Sequence, residues 1–367
     1  MAAPFTDSRA AGMGGVSIAV LDNLAINAVN PAALIPVGLT RITGSFVYEG
    51  MNSKTSAGNA FSRYANANGF RILFPIGRNA SFAAGLNPVS LADFTLSSKG
   101  TLAGVDYERT LEGKGGLNVA SASLFYSFGW RIRAGLSANL HFGRIEETWK
   151  TSFSRAEYID SDDRLTTDVR GVGATGGVIV SLTRQWMVGA VYTPGTKLTT
   201  EGQALYTFGK QTDPQTSKLK IPFAWGVGTT YTLWNKLLLG ADIAGQRWST
   251  FKVDGKIPPG YRDACRFGGG AQFTATREEF QNYFKRVTYR LGSYYGILPY
   301  RDSEGNGVTE LFLTLGIGLP FHKNLGRVDV AYEIGRRGSS NNPVEENIQR
   351  LHISVTGGEK WFVRGQY

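Results

Sequence analysis

The sequence predicts an all-β protein: a transmembrane antiparallel β-barrel of about fourteen strands over residues 40–367, with residues 1–39 folded into its lumen as a plug. Three observations predict it. Strands alternate apolar and polar residues over lengths that suit a bilayer. Short and long links alternate along the chain, as on the two rims of an outer-membrane barrel. The first stretch, Ser8 to Leu34, is apolar but does not alternate and is broken at Gly12, Gly14 and Gly15.

That first stretch is too short to span a bilayer as a helix. A compact non-strand segment ahead of a long run of strands suits the lumen of a closed sheet. Irregular backbone is tolerated at membrane depth only inside protein or a wet cavity. Pro31 fixes its own φ and biases Asn30 toward an extended form, so Asn30-Pro31-Ala32 reads as a defined corner. Arg9 and Asp22 are candidate anchors to lumen charges such as Asp242, Asp329, Glu333 or Arg350, without an assigned pairing.

The clearest strand is RIRAGLSANLHF, Arg131 to Phe142, with Ile132, Leu136, Leu140 and Phe142 on one face and Arg131, Arg133, Asn139 and His141 on the other. Leu311 to Leu319, Val328 to Gly335 and Arg350 to Val355 repeat the pattern. An apolar row against a row carrying charges means lipid outside and a wet inside. Short links fall near Gly77-Arg78-Asn79, Gly129-Trp130, Arg184-Gln185, Asn235-Lys236 and Lys323-Asn324, with a longer one, Thr276 to Lys285, read as a short helix. Long polar links are expected at about 51–66, 98–105, 151–163, 207–218, 254–263, 300–307 and 338–347. Trp130, Trp186, Trp234 and Trp361 stand beside short links, where indoles form a headgroup-level girdle.

Composition narrows the function. The net charge of +10 is spread along the chain without a basic block, which favours lipid or lipopolysaccharide phosphates over nucleic acid. Scattered solvated charge explains it equally well. The mean hydropathy of −0.15 is bland, as expected when lipid-facing and lumen-facing residues average. The lone Cys265 forms no internal disulfide, no Cys/His cluster has metal-ligand spacing, and no cofactor is expected. The opening Met1-Ala2-Ala3-Pro4 reads as a mature N-terminus with no signal peptide.

Motif matches do not rise to an enzyme. Gly171-Val172-Gly173-Ala174-Thr175-Gly176 fits a dinucleotide fingerprint but follows polar residues and leads into more strand. Gly12-x-Gly14-Gly15 lacks a preceding strand. His141, His322 and His352 are far apart, and the acidic pairs Asp162-Asp163, Glu278-Glu279 and Glu345-Glu346 fall in expected loops. Asn87-Pro88 interrupts SFAAGLNPVSL, Ser81 to Leu91, which otherwise reads as a wall strand. Proline cannot donate its ladder bond. Either the wall bends there or the pair lies beyond the membrane band.

SRAAGMGG followed by AVNPAAL, then GLNPVS, then GKGGLNVASASLFYSF with RIRAGLSANLHFGRI, and the closing YEIGRRGSS and LHISVTGGEKWF together resemble the FadL family of outer-membrane transporters for hydrophobic compounds, in its Bacteroidota-type form. The resemblance spans nearly the whole chain. It implies a monomeric barrel in the bacterial outer membrane, not an enzyme, plugged by an N-terminal hatch that includes Arg9, Gly12, Gly14, Gly15 and Asp22. It further implies a hydrophobic small-molecule ligand, of long-chain fatty-acid type, that meets the hatch at Asn30-Pro31-Ala32 and leaves sideways where the third strand kinks at Asn87-Pro88. The alternative is a non-transporting subunit or shuttle with a protein partner in an outer-membrane secretion or assembly complex, in the manner of PorV.

Overall fold

The computed structural model describes residues 7–56, 58–102, 104–209, 211–321 and 325–361. Residues 1–6 of the expected plug, His322, the expected turn Lys323-Asn324 and the last residues from Phe362 lie outside them.

Strands β1 (Thr40–Thr55), β2 (Gly58–Ile76), β3 (Ala80–Leu102), β4 (Val105–Phe128), β5 (Ile132–Phe153) and β6 (Ser161–Ser181) form a continuous meander. The next three wall strands are each interrupted. They are β7 (Trp186–Thr193 and Thr196–Leu205), β8 (Gln215–Ile221 and Ala224–Leu233) and β9 (Leu237–Gln246 and Lys252–Val253). The two pieces of each pair with the same neighbouring wall strand, so each is one strand of the wall. Pro194 and Pro222 stand at two of the breaks, where a missing N–H ends the ladder. The wall continues with β10 (Ala264–Thr274), β11 (Thr288–Arg301), β12 (Gly307–Phe321), β13 (Gly326–Arg337) and β14 (Glu345–Glu359). β14 pairs with β1 from Thr40↔Glu359 to Lys54↔Glu345, which closes a fourteen-stranded antiparallel barrel.

Side-chain parity follows the sequence. On β12, Leu311, Leu313 and Leu315 are 57%, 61% and 57% exposed, whereas Phe312 and Thr314 are 0% and 1% exposed. The outward row meets lipid and the inward row lines the interior. Trp130, Trp186, Trp234 and Trp361 are exposed and sit at the short-link rim. The link between β10 and β11 contains the one-turn helix α2 (Tyr283–Arg286) on that same rim.

Two expected loops are strand instead, and a third is shortened. Among the described residues, 51–66 and 98–105 are largely absorbed into β1 to β4, whose members run to 24 residues in β4, while 151–163 keeps a loop at 154–160 between β5 and β6. Asp162-Asp163 lies in β6, and Glu345-Glu346 opens β14, where Glu346 pairs with Arg337 at 3.1 Å. A transmembrane strand needs only ~9–11 residues. Beyond that height both faces meet water, so backbone pairing persists without the apolar alternation that marks a strand in sequence.

Candidate functional site

The N-terminal segment packs against the inward faces of the wall. It contains the short helix α1 (Ser8–Ala11), N-capped by Asp7, and a 3-10 turn (Pro31–Ala33) capped by Asn30. Asn30 Oδ1 accepts the Ala32 N–H at 2.9 Å, and its Nδ2 donates to the Ile18 carbonyl at 2.7 Å. One side chain therefore sets the corner at Asn30-Pro31-Ala32 and ties it back to the turn at Ile18.

Glycines on the wall make this fit possible. The segment's atoms occupy the space a Cβ would fill at Gly135, Gly177, Gly189, Gly240, Gly268, Gly270, Gly292 and Gly316, contributed by β5, β6, β7, β9, β10, β11 and β12. Pro31 abuts Gly135, Asn30 abuts Gly177, and Gly12 abuts Gly316. Gly14, at φ 66°, donates its N–H to Thr314 Oγ1 at 3.0 Å, and Gly15, at φ 82°, lies against Arg266. Those two positive φ angles favour glycine on backbone grounds as well.

A charge cluster holds the middle of the segment. Asp22 Oδ2 lies 2.9 Å from Arg327 and 3.2 Å from Arg9, and its Oδ1 accepts the Leu24 N–H at 2.8 Å. Arg327 also pairs with Asp329 at 2.8 Å, and Asp329 pairs with Arg290 at 2.7 Å. Burial alone would raise the Asp22 carboxyl, but the Arg327 and Arg9 guanidiniums outweigh it and hold it below the usual carboxylate range. Arg41 donates to the backbone carbonyls of Asp22, Asn23, Ala25 and Ile35. Asp242 Oδ2 accepts the Ser17 and Ile18 N–H groups at 2.7 and 2.9 Å. Of the lumen charges expected around Arg9 and Asp22, Asp242 holds backbone and Asp329 acts one residue removed, while Glu333 and Arg350 pair with each other instead at 3.3 Å.

Beside the segment lies a cavity of about 470 Å³. Its floor includes Ile26, Val29, Pro31 and Leu34; its walls include Leu117, Val119, Val191, Leu198, Ile221 and Ile297, with Arg71, Asn87 and Pro88 on one side. The β2–β3 ladder parts at this side. It runs from Ile76↔Ala80 to Phe70↔Leu86 and, among the described residues, no further pair joins the strands, although β2 continues to Gly58 and β3 to Leu102. Residues 70–76 are fewer than the ~9–11 needed to cross the hydrocarbon, so the strands part within the membrane band.

Both strands deform just above the last pair. Asn68 bulges between Ala67 and Gly69 against β1, and Val89 bulges between Pro88 and Ser90 against β4. Val89 turns inward and packs on Leu117, Val169 and Leu198. A second pocket of about 440 Å³ occupies the parting, lined by Tyr64, Asn66, Ser90, Lys114, Asn118 and Arg144 among others. Pro88 lines both the cavity and this pocket.

The structure thus brings Pro31, Asn87 and Pro88 to one cavity, with Gly14 and Gly15 at its edge. It places Arg9 and Asp22 together in the charge cluster, and Ala32 in an apolar cluster with Ala33 and Ile179. Sequence reasoning did not single out Arg41, Arg71 or Arg327. Parity was the available signal: Arg327 shares its face with Asp329 and Glu333, and Arg71 shares its face with buried Leu73.

Among solved structures, a Pseudomonas aeruginosa FadL homologue superposes with a TM-score of 0.68 at 14% identity, covering 96% of this chain and 98% of the other. The Ralstonia pickettii toluene transporter TbuX gives 0.63 at 16%, covering 96% and 97%, and the Pseudomonas putida toluene transporter TodX gives 0.62 at 16%, covering 97% and 98%. No curated protein matches the sequence. A family model described as BamG matches residues 6–367. The protein is an outer-membrane β-barrel of FadL-like fold, and the chain belongs to the BamG family.

Proposed function

We propose that this barrel is a passive channel for hydrophobic small molecules, elongated ones of long-chain fatty-acid type, that leave by lateral diffusion through the wall. The observation that carries the reading is Pro88, which borders both the lumen cavity and the pocket in the β2–β3 parting. A volume of about 470 Å³ lies within the ~300–1,000 Å³ of small-molecule sites. Neighbours of the same fold that are toluene transporters support a hydrophobic ligand. In this reading residues 1–39 are the hatch, with Pro31 of the Asn30-Pro31-Ala32 corner at the cavity floor. Replacing Asn87 with Ala and Pro88 with Val restores a donor and a strand-favouring side chain. Uptake of a hydrophobic fluorophore into proteoliposomes should fall while binding persists. A folded, binding variant that transports at the parent rate refutes the lateral exit.

A second reading, a subunit or shuttle of an outer-membrane complex, is favoured by the β10–β11 link. Phe280 is 101% exposed and Phe284 74% exposed, on a rim whose other described links are tight turns. A resident protein that co-purifies with the parent but not with Phe280→Ser/Phe284→Ser would support it.

A further inference from the structure

The net charge of +10 is spread along the chain, but the fold gathers an unpaired part of it at one end. The β2–β3, β4–β5, β6–β7, β8–β9 and β10–β11 links carry Arg78, Arg131, Arg184, Lys236 and Lys285, and Lys360 follows β14. All six are exposed, and among the described residues none of their side chains makes a hydrogen bond or salt bridge. Toward the other end, bases of the wall are neutralised: Arg144 by Asp168 at 2.7 Å, Lys150 by Glu112 at 2.9 Å and Arg336 by Glu345 at 2.9 Å. The exposed acids of the short-link rim are Glu278 and Glu279, on the link that also holds Arg277 and Arg286, and Glu359 at the end of β14. Positive charge is in excess there. Its height is set by the indoles. Trp130, Trp234 and Trp361 stand beside Arg131, Lys236 and Lys360, and the Arg131 guanidinium lies 4.9 Å from the centre of the Trp130 ring. Indoles settle at the head-group level, so these bases sit where lipid phosphates are.

We propose that the short-link rim is a binding surface for anionic phospholipid, and that the barrel enriches lipids of net negative head group around its periplasmic end. Short turns mark the periplasmic side of such barrels, so the occupant is a glycerophospholipid of that leaflet and not lipopolysaccharide. An ammonium or guanidinium donates to any lipid phosphate. A zwitterionic head group brings its own cation and cancels the attraction. Bases on separate links act on separate lipids. The surface is a ring of weak, salt-screened contacts and not one tight pocket.

The test places the full chain in vesicles of phosphatidylethanolamine with about 10% phosphatidylglycerol. Polymer nanodiscs are cut from them, and the lipid ratio around the protein is measured by mass spectrometry against discs from empty vesicles. The wild type should be enriched about threefold in phosphatidylglycerol, and salt at about 0.5 M, where the Debye length is ~4 Å, should remove most of that. Replacing all six bases with Gln should bring the ratio to about one. Exchanging each Arg for Lys and each Lys for Arg should keep it. Arg155→Gln/Arg247→Gln/Lys256→Gln, on the long loops, should leave it unchanged. A wild-type ratio near one, a ratio unchanged without the six bases, or a loss that follows the long-loop variant overturns the proposal. So does displacement of lipid by inorganic phosphate beyond that by chloride of equal ionic strength, which marks a site for a free anion. A lipid ratio near one, with an acidic protein retained by the parent and lost without the six bases, makes the rim a protein-docking face and overturns it too. If the six-base variant lacks the heat-shifted gel mobility of a folded barrel, Arg78→Gln/Arg131→Gln/Arg184→Gln and Lys236→Gln/Lys285→Gln/Lys360→Gln decide. Each should lose about half of the enrichment, and full retention in both overturns the ring.

Discussion

Removing the Asp22 carboxylate should unseat the N-terminal segment and open the pore. In Asp22→Ala the Arg327 guanidinium keeps Asp329 at 2.8 Å, but Arg9 is left with the Val16 carbonyl at 3.3 Å and the Met13 sulfur. Stripping one partner from a buried pair costs about 3–5 kcal/mol. At about 1.4 kcal/mol per decade, the unseated population rises roughly 100-fold to a few thousand-fold. Because Arg327 stays paired, the lower end applies. The assay is the open fraction of single channels in planar bilayers, beside gel mobility with and without boiling to confirm an intact wall. Asp22→Asn, which can still accept the Leu24 N–H, should fall between parent and Ala. An intact Asp22→Ala barrel whose open fraction stays within about threefold of the parent refutes the seat as drawn.

Deleting residues up to Leu34 should leave a barrel that inserts and conducts continuously; conduction no higher than the parent's would show that the segment does not block the lumen. Gly177→Ala places a methyl where Asn30 Oδ1 lies and should raise leak conductance at a cost of about 1–3 kcal/mol to the seat. Its neighbour Gly176, with open space at its Cβ position, should accept Ala silently, and equal effects at both sites would count against the close fit. Boiling should shift the gel mobility of detergent-solubilised parent protein, and circular dichroism should show β structure; a chiefly helical spectrum would contradict the fold.

Where one face meets lipid and the other the interior, the wall was legible residue by residue: Leu311 to Leu319 and Val328 to Gly335 face as their alternation indicates. The upper parts of β3 to β6 were not, because water on both sides removes the contrast that alternation reports. Asn87-Pro88 marked the altered strand, since a missing donor is visible in sequence. The partner that fails to pair there, β2, carries a mark that went unused: its bulge is at Asn68, followed by Gly69 at φ 131°, and an Asn-Gly pair inside a strand signals a bulge. The anchors of Arg9 and Asp22 depend on which inward residues stand at the same height. That is set by register between strands distant in the chain, and Arg327 is more than three hundred residues from Asp22.

The glycine-to-backbone contacts also impose an order on biogenesis. The segment ends at Leu34, and β1 starts at Thr40, so it is tethered directly to one edge of the sheet. Its contacts reach from β5 to β12 at distances that leave no room even for a methyl group. A completed cylinder offers no way to thread such a filling in from the side. The open sheet is therefore expected to curl around a segment already folded against it, with the β1–β14 seam, from Thr40↔Glu359 to Lys54↔Glu345, zipped last.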